Sequence, residues 1–334
     1  MKAVPLVVAV LALLMWADLG HVQEPKSDKT IDQHALKAPA EAEASLPKLA
    51  EYLVRPCKSD RDKTRAIYRW ITDRIAYDAE SFFAQMQGDN NAEGVLKSRK
   101  GVCAGYANLF ADLAGRVELE VVTVSGFAKG VDYDPEKRLT KANHAWTAVH
   151  LDGAWRLVDA TWGAGYINGK EFVKRFSGAY FLVAPERLAF SHLPTEEKWQ
   201  LLKAPLGLEQ FLEQPKVSRG LWDLGVMPEM VRKTIADKKF RELVHVYTIT
   251  GQATTLVSAP LTKQLRAGTK YTFEFKSDDF AEIAGFQNSK PAPFAKKGNV
   301  FRGTLALQQG QLKIGGRPKE EKNRYTGILE YVVE

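Results

Sequence analysis

The sequence predicts an α+β protein in two parts, and three changes of texture along the chain carry that reading. From Ser45 to about Val117 apolar residues recur at the three-and-four spacing of helices. From Glu118 to about Ala164 they alternate as in strands. Beyond Pro215 short β-rich runs are separated by turn residues, the pattern of a β-sandwich of immunoglobulin type. At 334 residues the chain has room for a sizeable core and two domains.

Met1-Lys2 precedes an apolar run from Ala3 to Ala17. That length suits a signal peptide over residues 1–20 and is short for a bilayer span. The residues before Ala17 and Gly20 make a poor cleavage site, so an uncleaved anchor stays open as the alternative. No other stretch is long and apolar enough for a transmembrane core. The chain holds no Asn-x-Ser/Thr acceptor, which favours a bacterial envelope over a glycosylating route. The expected location is secreted or periplasmic. Residues 21–44 are polar and aperiodic and read as a solvated linker. Ser59-Asp60-Arg61-Asp62 is a helix start, with Ile67, Trp70, Ile71 and Ile75 as the buried stripe.

In Lys100-Gly101-Val102-Cys103-Ala104-Gly105-Tyr106 a glycine-bearing turn becomes a helix whose face carries Tyr106, Leu109, Phe110, Leu113, Ala114 and Val117. Cys103 falls in the first turn. Unpaired N–H groups and the helix dipole favour an anion there, which lowers a thiol pKa and makes the sulfur nucleophilic. Glu120–Phe127 is the clearest strand, and Lys129–Ala142 reads as an exposed loop. His144–His150 and Trp155–Trp162 then flank Leu151-Asp152-Gly153-Ala154. Asp-Gly between two aromatic and β-branched runs signals a two-residue hairpin. Counting from that turn sets His150 opposite Trp155, Trp146 opposite Asp159 and His144 opposite Thr161. His144 and Asp159 are then diagonal neighbours roughly 7–8 Å apart at the backbone, near enough for imidazole to meet carboxylate. A thiolate nucleophile, a histidine to shuttle the proton and an aspartate to orient it are what covalent acyl transfer requires. Trp146 shares His144's strand face and Trp162 follows the aspartate; both are candidate substrate-binding walls, although either could be core. Ala179–Val183 reads as strand-like. The clearest later strands are Val244–Ile249, Lys270–Phe275, Val300–Leu307 and Thr326–Val333.

GVCAGYANLF, NHAW and WRLVDATWGAG, in that order, resemble the transglutaminase-like cysteine-enzyme superfamily. The likeness extends to AIYRWI with IAYD behind it, to EGVLKSRK before the cysteine, and to HLPTEEKWQLL, which is similar to the kyphoscoliosis-peptidase branch. It covers roughly residues 46–212. It implies a papain-like transglutaminase core over 45–212 ahead of a basic β-sandwich over 213–334, with Cys103 as nucleophile, His144 as general base and acid, and Asp159 as orienter. The superfamily includes glutamine–lysine cross-linkers, amide or peptide hydrolases and members that only bind, so the reaction stays open, with hydrolysis of protein or peptide amides favoured.

The charge is uneven. Residues 213–334 hold 20 Lys and Arg against 13 Asp and Glu, so the whole formal excess of +7 sits there. It reads as solvated loops such as Lys296-Lys297 and Arg317-Pro318-Lys319, or as attraction to an anionic envelope surface. Nucleic acid is disfavoured, because no helix or aromatic sheet carries an interleaved basic stripe. No Cys/His cluster has metal-ligand spacing and no glycine-rich loop suits a phosphate, so neither metal nor cofactor is expected. Cys57 reads as structural and unpaired; a bridge to Cys103 would silence the nucleophile.

Overall fold

The computed structural model describes residues 26–334 apart from 87, 238–239, 248–253 and 289. The expected signal peptide lies outside the described residues. None of the described helices is long and apolar enough to cross a membrane.

Six helices open the fold: α1 (Lys26–Leu36), α2 (Leu46–Val54), α3 (Asp60–Arg74), α4 (Ala79–Phe83), α5 (Ala92–Ser98) and α6 (Cys103–Arg116). Ser59 caps α3 by accepting from the Asp62 N–H, as its sequence position predicts. Two short strands, β1 (Ala76–Tyr77) and β2 (Lys100–Gly101), pair in parallel and set the approach to α6. The segment 21–44 corrects the expectation of a solvated linker from residue 26 onwards. There α1 packs on α3 and buries Ile31 and Ala35, while Asp28 pairs with Arg61 and Asp32 with Arg65. Two apolar residues one turn apart make too short a stripe to read as periodic. Asp28 and Asp32 add ion pairs, and ion pairs leave no hydrophobic period in the sequence.

The sheet against these helices is antiparallel, in the order β5 (Ala154–Val158), β4 (His144–Leu151), β3 (Val121–Ala128), β8 (His192–Pro194). His150 pairs with Trp155 and Leu151 with Ala154. Asp152 and Gly153 take φ of 50° and 76°, the mirror-image turn that an Asp-Gly pair supplies without steric cost. Strand β4 is buried on both faces. Val149 and Leu151 join the helical core of Leu49, Ile67, Trp70, Leu109 and Phe110, whereas Trp146 and Ala148 join a second cluster with Leu157, Leu188 and Trp199. The expected strand pairing fails after Val158. Residues 160–164 form helix α7 (Ala160–Ala164) with Asp159 as its cap, so Thr161 does not face His144. The Asp159 carboxylate accepts from the Trp162 N–H, and that local bond ends the ladder. Gly163 lies against Tyr68 of α3, where any Cβ would stand 2.0 Å from the Tyr68 hydroxyl, so α7 can dock this closely only with glycine.

A small hairpin follows, β6 (Gly165–Asn168) with β7 (Glu171–Lys174). Ala179–Val183 is not a strand. It begins as a 3-10 turn, Gly178–Tyr180, and meets the end of β5 where the Tyr180 carbonyl accepts from the Asp159 N–H and Val183 bridges Leu157. Then come α8 (Pro185–Leu188), α9 (Leu208–Glu213), α10 (Arg219–Asp223) and α11 (Pro228–Ile235). Strand texture therefore does not begin at residue 215, as expected. Leu221 of α10, Leu224 just after it and Val231 of α11 are buried in the C-terminal core cluster, together with Phe190 from the first half.

Beyond them lie β9 (His245–Val246), β10 (Thr254–Ser258), β11 (Gln264–Leu265), β12 (Lys270–Ser277), β13 (Phe280–Gln287), β14 (Lys290–Pro293), β15 (Ala295–Lys297), β16 (Val300–Ala306), β17 (Gly310–Pro318) and β18 (Thr326–Val333). One sheet runs β10-β12-β16-β15. The other runs β11-β18-β17-β13-β14, with β9 beside β18 and β11 parallel to β18. This is the two-sheet order of an immunoglobulin-type sandwich. Phe273, Phe275, Ile283, Phe301, Ile314 and Tyr331 fill the space between the sheets.

Candidate active site

Cys103 is the first residue of α6, and Val102 before it gives no side-chain cap. The first-turn N–H groups are thus left to an anion. Tyr106, Leu109, Phe110 and Leu113 are buried along the helix and hold it in the core. The half-buried thiol sits by the His144 ring and the Ala145 N–H at the start of β4. Burial alone would push the thiol up, but the His144 bond, the His144 charge and the Ala145 N–H together bring it below its ordinary range.

Across the imidazole, His144 Nε2 lies 2.8 Å from Asp159 Oδ2. This leaves Nδ1 for the sulfur. Burial disfavours a charged His144, yet the Asp159 charge and hydrogen bond, with Cys103, carry its pKa to about 10. Asp159 is fully buried, a situation that would raise a carboxyl; His144 and His192 instead hold it well below the usual carboxylate range. The lowered thiol and the raised imidazole draw this pair toward thiolate and imidazolium, with the Asp159 carboxylate behind them. Cys57 is the internal contrast. Its thiol contacts the Leu53 carbonyl at 3.6 Å, and burial and Asp62 push it up to about 12. Both cysteines are free. One thiol is activated and the other is inert.

Residues 47–160, the stretch that holds all three of these groups, match the family model described as the transglutaminase-like superfamily. This chain carries a transglutaminase-like domain. Mouse kyphoscoliosis peptidase is 27% identical over 294 residues, covering 87% of this chain and 41% of the relative. Human kyphoscoliosis peptidase is 34% identical over 173 residues, covering 51% of this chain and 26% of the relative. The chain thus spans less than half of either relative's length. A solved structure of red sea bream transglutaminase aligns over 93% of this chain and 59% of its own, at 10% identity and a TM-score of 0.30.

The transglutaminase-like domain opens at His144 into a cleft of about 520 Å³. Trp162 lines it, 5.6 Å from the His144 ring, where the sequence placed a wall. Trp146 does not. It shares the face of His144 with ring centroids 6.0 Å apart, but it is 1% exposed and its indole N–H has no partner among the described residues. Its role is packing, because β4 is the central strand and that face is covered by Leu157, Leu188 and Trp199.

Sequence reasoning missed His192. This residue lies on β8, two strands from His144, and its Nε2 is 3.0 Å from the same Asp159 oxygen. Ser191 Oγ stands 2.8 Å from its Nδ1. Burial lowers the His192 pKa, so the ring is neutral and donates through Nε2–H while Ser191 donates to Nδ1. Asp159 is therefore held from three sides: His144, His192 and, through Oδ1, the Trp162 N–H. His144, Asp159 and His192 are the one group of buried His and carboxylate ligands among the described residues that could surround a metal ion. However, Asp159 Oδ2 is within direct hydrogen-bond reach of both rings, which already satisfies all three. A histidine whose sequence neighbours are Ser and Leu gave no local signal, because the pairing crosses two strands.

Proposed function

We propose that this chain is a cysteine acyl-transfer enzyme that hydrolyses protein or peptide amides through a thioester. The observation that carries the proposal is the Cys103–His144–Asp159 arrangement, with a thiol pulled down and an imidazole raised to about 10. The Cys103 thiolate adds to the amide carbonyl carbon, and the resulting oxyanion faces the Cys103 N–H at the start of α6. His144 gives its proton to the leaving amine, the C–N bond breaks, and the acyl group stays on sulfur. Neutral His144 then takes a proton from water. The hydroxide oxygen displaces the sulfur, releasing the acid and restoring the thiolate–imidazolium pair. Asp159 keeps its charge throughout and holds the ring in register.

Water as the acceptor is supported by the cleft reaching solvent beside His144, since cross-linking demands that water be kept out until an amine arrives. The mouse and human relatives are also named as peptidases. The test is incubation of the protein with casein and a fluorescent primary amine. Fragments or released ammonia without amine incorporation are expected; robust incorporation without fragments makes the chain a cross-linking enzyme instead. Secretion to a bacterial envelope, with the basic sandwich docking the enzyme on an anionic surface, belongs to the same proposal and rests on residues 1–20 and the charge of 213–334.

A further inference from the structure

We propose that the cleft beside His144 selects acyl donors that carry a carboxylate close to the reacting amide, as in a glutamine or peptide bond flanked by acidic residues. The inference rests on the acyl-transfer reading above and names its substrate class. Four cations line the cleft, Lys129, Arg175, Lys216 and Arg219, against two carboxylates, Asp132 and Asp223. Arg219 and Asp223 are paired at 3.2 Å. Lys216 faces Asp132, and its ammonium donates to the Gly130 carbonyl at 2.8 Å.

The other two cations have no carboxylate partner. Arg175 has no hydrogen-bond or ion-pair partner for its guanidinium among the described residues. Lys129 is 1% exposed, and its ammonium is held by the carbonyls of Phe211, at 2.6 Å, and Gln214. Carbonyl oxygens satisfy an ammonium's hydrogen bonds but do not cancel its charge. Behind the wall, Cys103 and His144 form a pair with no net charge. Asp159 has no exposed surface, but its charge acts on the cleft-lining Tyr77 and Tyr180 and offsets one of these cations. The cleft therefore carries an excess of one cation in a volume typical of sites that bury a ligand. Charge of one sign lining a concave cleft raises the local concentration of opposite charge. Residues 1–212 as a whole carry no net formal charge.

The experiment uses the full chain carrying Cys103→Ala, so that peptides bind without turnover. Acetyl-Glu-Gln-Glu-amide and acetyl-Lys-Gln-Lys-amide are titrated by calorimetry at low and at physiological salt. The acidic peptide is expected to bind at least tenfold tighter, with the gap narrowing as salt rises. Arg175→Gln and Lys216→Gln are each expected to lower the preference, on the order of threefold per cation. Arg266→Gln, an exposed cation after β11, should leave it unchanged. Equal affinity for the two peptides, no binding of the acidic one at millimolar concentration, or a full preference in the Arg175/Lys216 double variant overturns the proposal. Labelling of the native chain separates this from the parent reading. Iodoacetamide reports the Cys103 thiolate itself, whereas the iodoacetate-to-iodoacetamide ratio reports the field around it. A chain that labels with neither reagent but still prefers the acidic peptide has lost the acyl-transfer reading and kept the cleft.

Discussion

The two halves of this protein bury different things. Of the sixteen polar or charged residues buried among the described ones, fourteen precede residue 213 and two, Thr254 and Ser277, lie in the sandwich. Those two satisfy each other at 3.0 Å. The first half instead encloses Asp28, Arg65, Lys129, His144, Asp159 and His192, each held by named partners. A buried charge costs several kcal/mol unless it is paired, so such groups contribute little net stability and much specificity of position. The sandwich, filled by Phe273, Phe275, Phe301 and Tyr331, draws its stability from area removed from water. Chemistry is thus concentrated in the half that is electrostatically expensive, beside a half that is built as scaffold.

The contrast is sharpest at Asp159. Asp159→Asn keeps the size of the side chain and removes the charge that raises His144. Labelling of Cys103 by iodoacetamide at neutral pH should fall by roughly tenfold for each unit the thiol rises, while Cys57 labelling stays negligible. Cys103→Ala should abolish the fast phase. Equal labelling of both cysteines in the native chain breaks the distinction between an activated and a structural thiol.

In the scaffold, Phe273→Ala should cost about 3–5 kcal/mol, read from the denaturant midpoint, because the ring is fully buried. It also tests whether the halves are one cooperative unit. Phe190 lies in the sandwich's cluster, so a single transition is expected by both tryptophan emission and circular dichroism. Two separated transitions would show that the shared core does not couple them.

Titration should separate the halves as well. The Asp159 pKa is depressed, so its stabilising contribution is present above the ordinary 3.8 and fades as pH falls. The His144 pKa is raised, so its contribution is present below the ordinary 6.5 and is lost as pH rises through about 10. Melting temperature should therefore fall toward both ends of this window, and a Cys103→Ala, His144→Gln, Asp159→Asn triple variant should flatten the curve. An unchanged curve in that variant would place the pH dependence elsewhere.

His192 carries a smaller effect through Asp159. His192→Gln keeps an N–H donor toward the carboxylate, whereas His192→Phe removes it. The acid limb of the labelling profile should move up by about one unit in the phenylalanine variant and by less in the glutamine one. Identical shifts would reduce His192 to packing. The smallest effect is expected at the basic loops. Lys296 reaches toward the Phe280 and Ala281 carbonyls at 3.4 Å, and Arg317 pairs with Glu282 at the same distance, so at least one of these loop charges is already offset. Retention of the full chain on anionic vesicles should be weak and should vanish by physiological ionic strength. Salt-insensitive retention would replace charge with an apolar docking surface.

Local chemistry in the sequence determined a good deal by itself. The glycine-turn entry to α6 put Cys103 at a helix start, and Asp152-Gly153 set the hairpin register as far as Val158. Both are decided within a few residues, by backbone torsions and apolar period. Residues 26–36 read as linker and the chain beyond Pro215 as β-rich, yet α1, α10 and α11 form there because they meet partners far along the chain: Asp28 with Arg61, Leu221 with the sandwich core. Tertiary structure alone decided that Asp159 leaves the strand to cap α7, that Trp146 is sealed while Trp162 faces the cleft, and that His192 reaches the same carboxylate oxygen as His144. Each outcome depends on what covers a side chain across the sheet. Period and turn chemistry carry no record of that, because burial and pairing are properties of residues brought together only by folding.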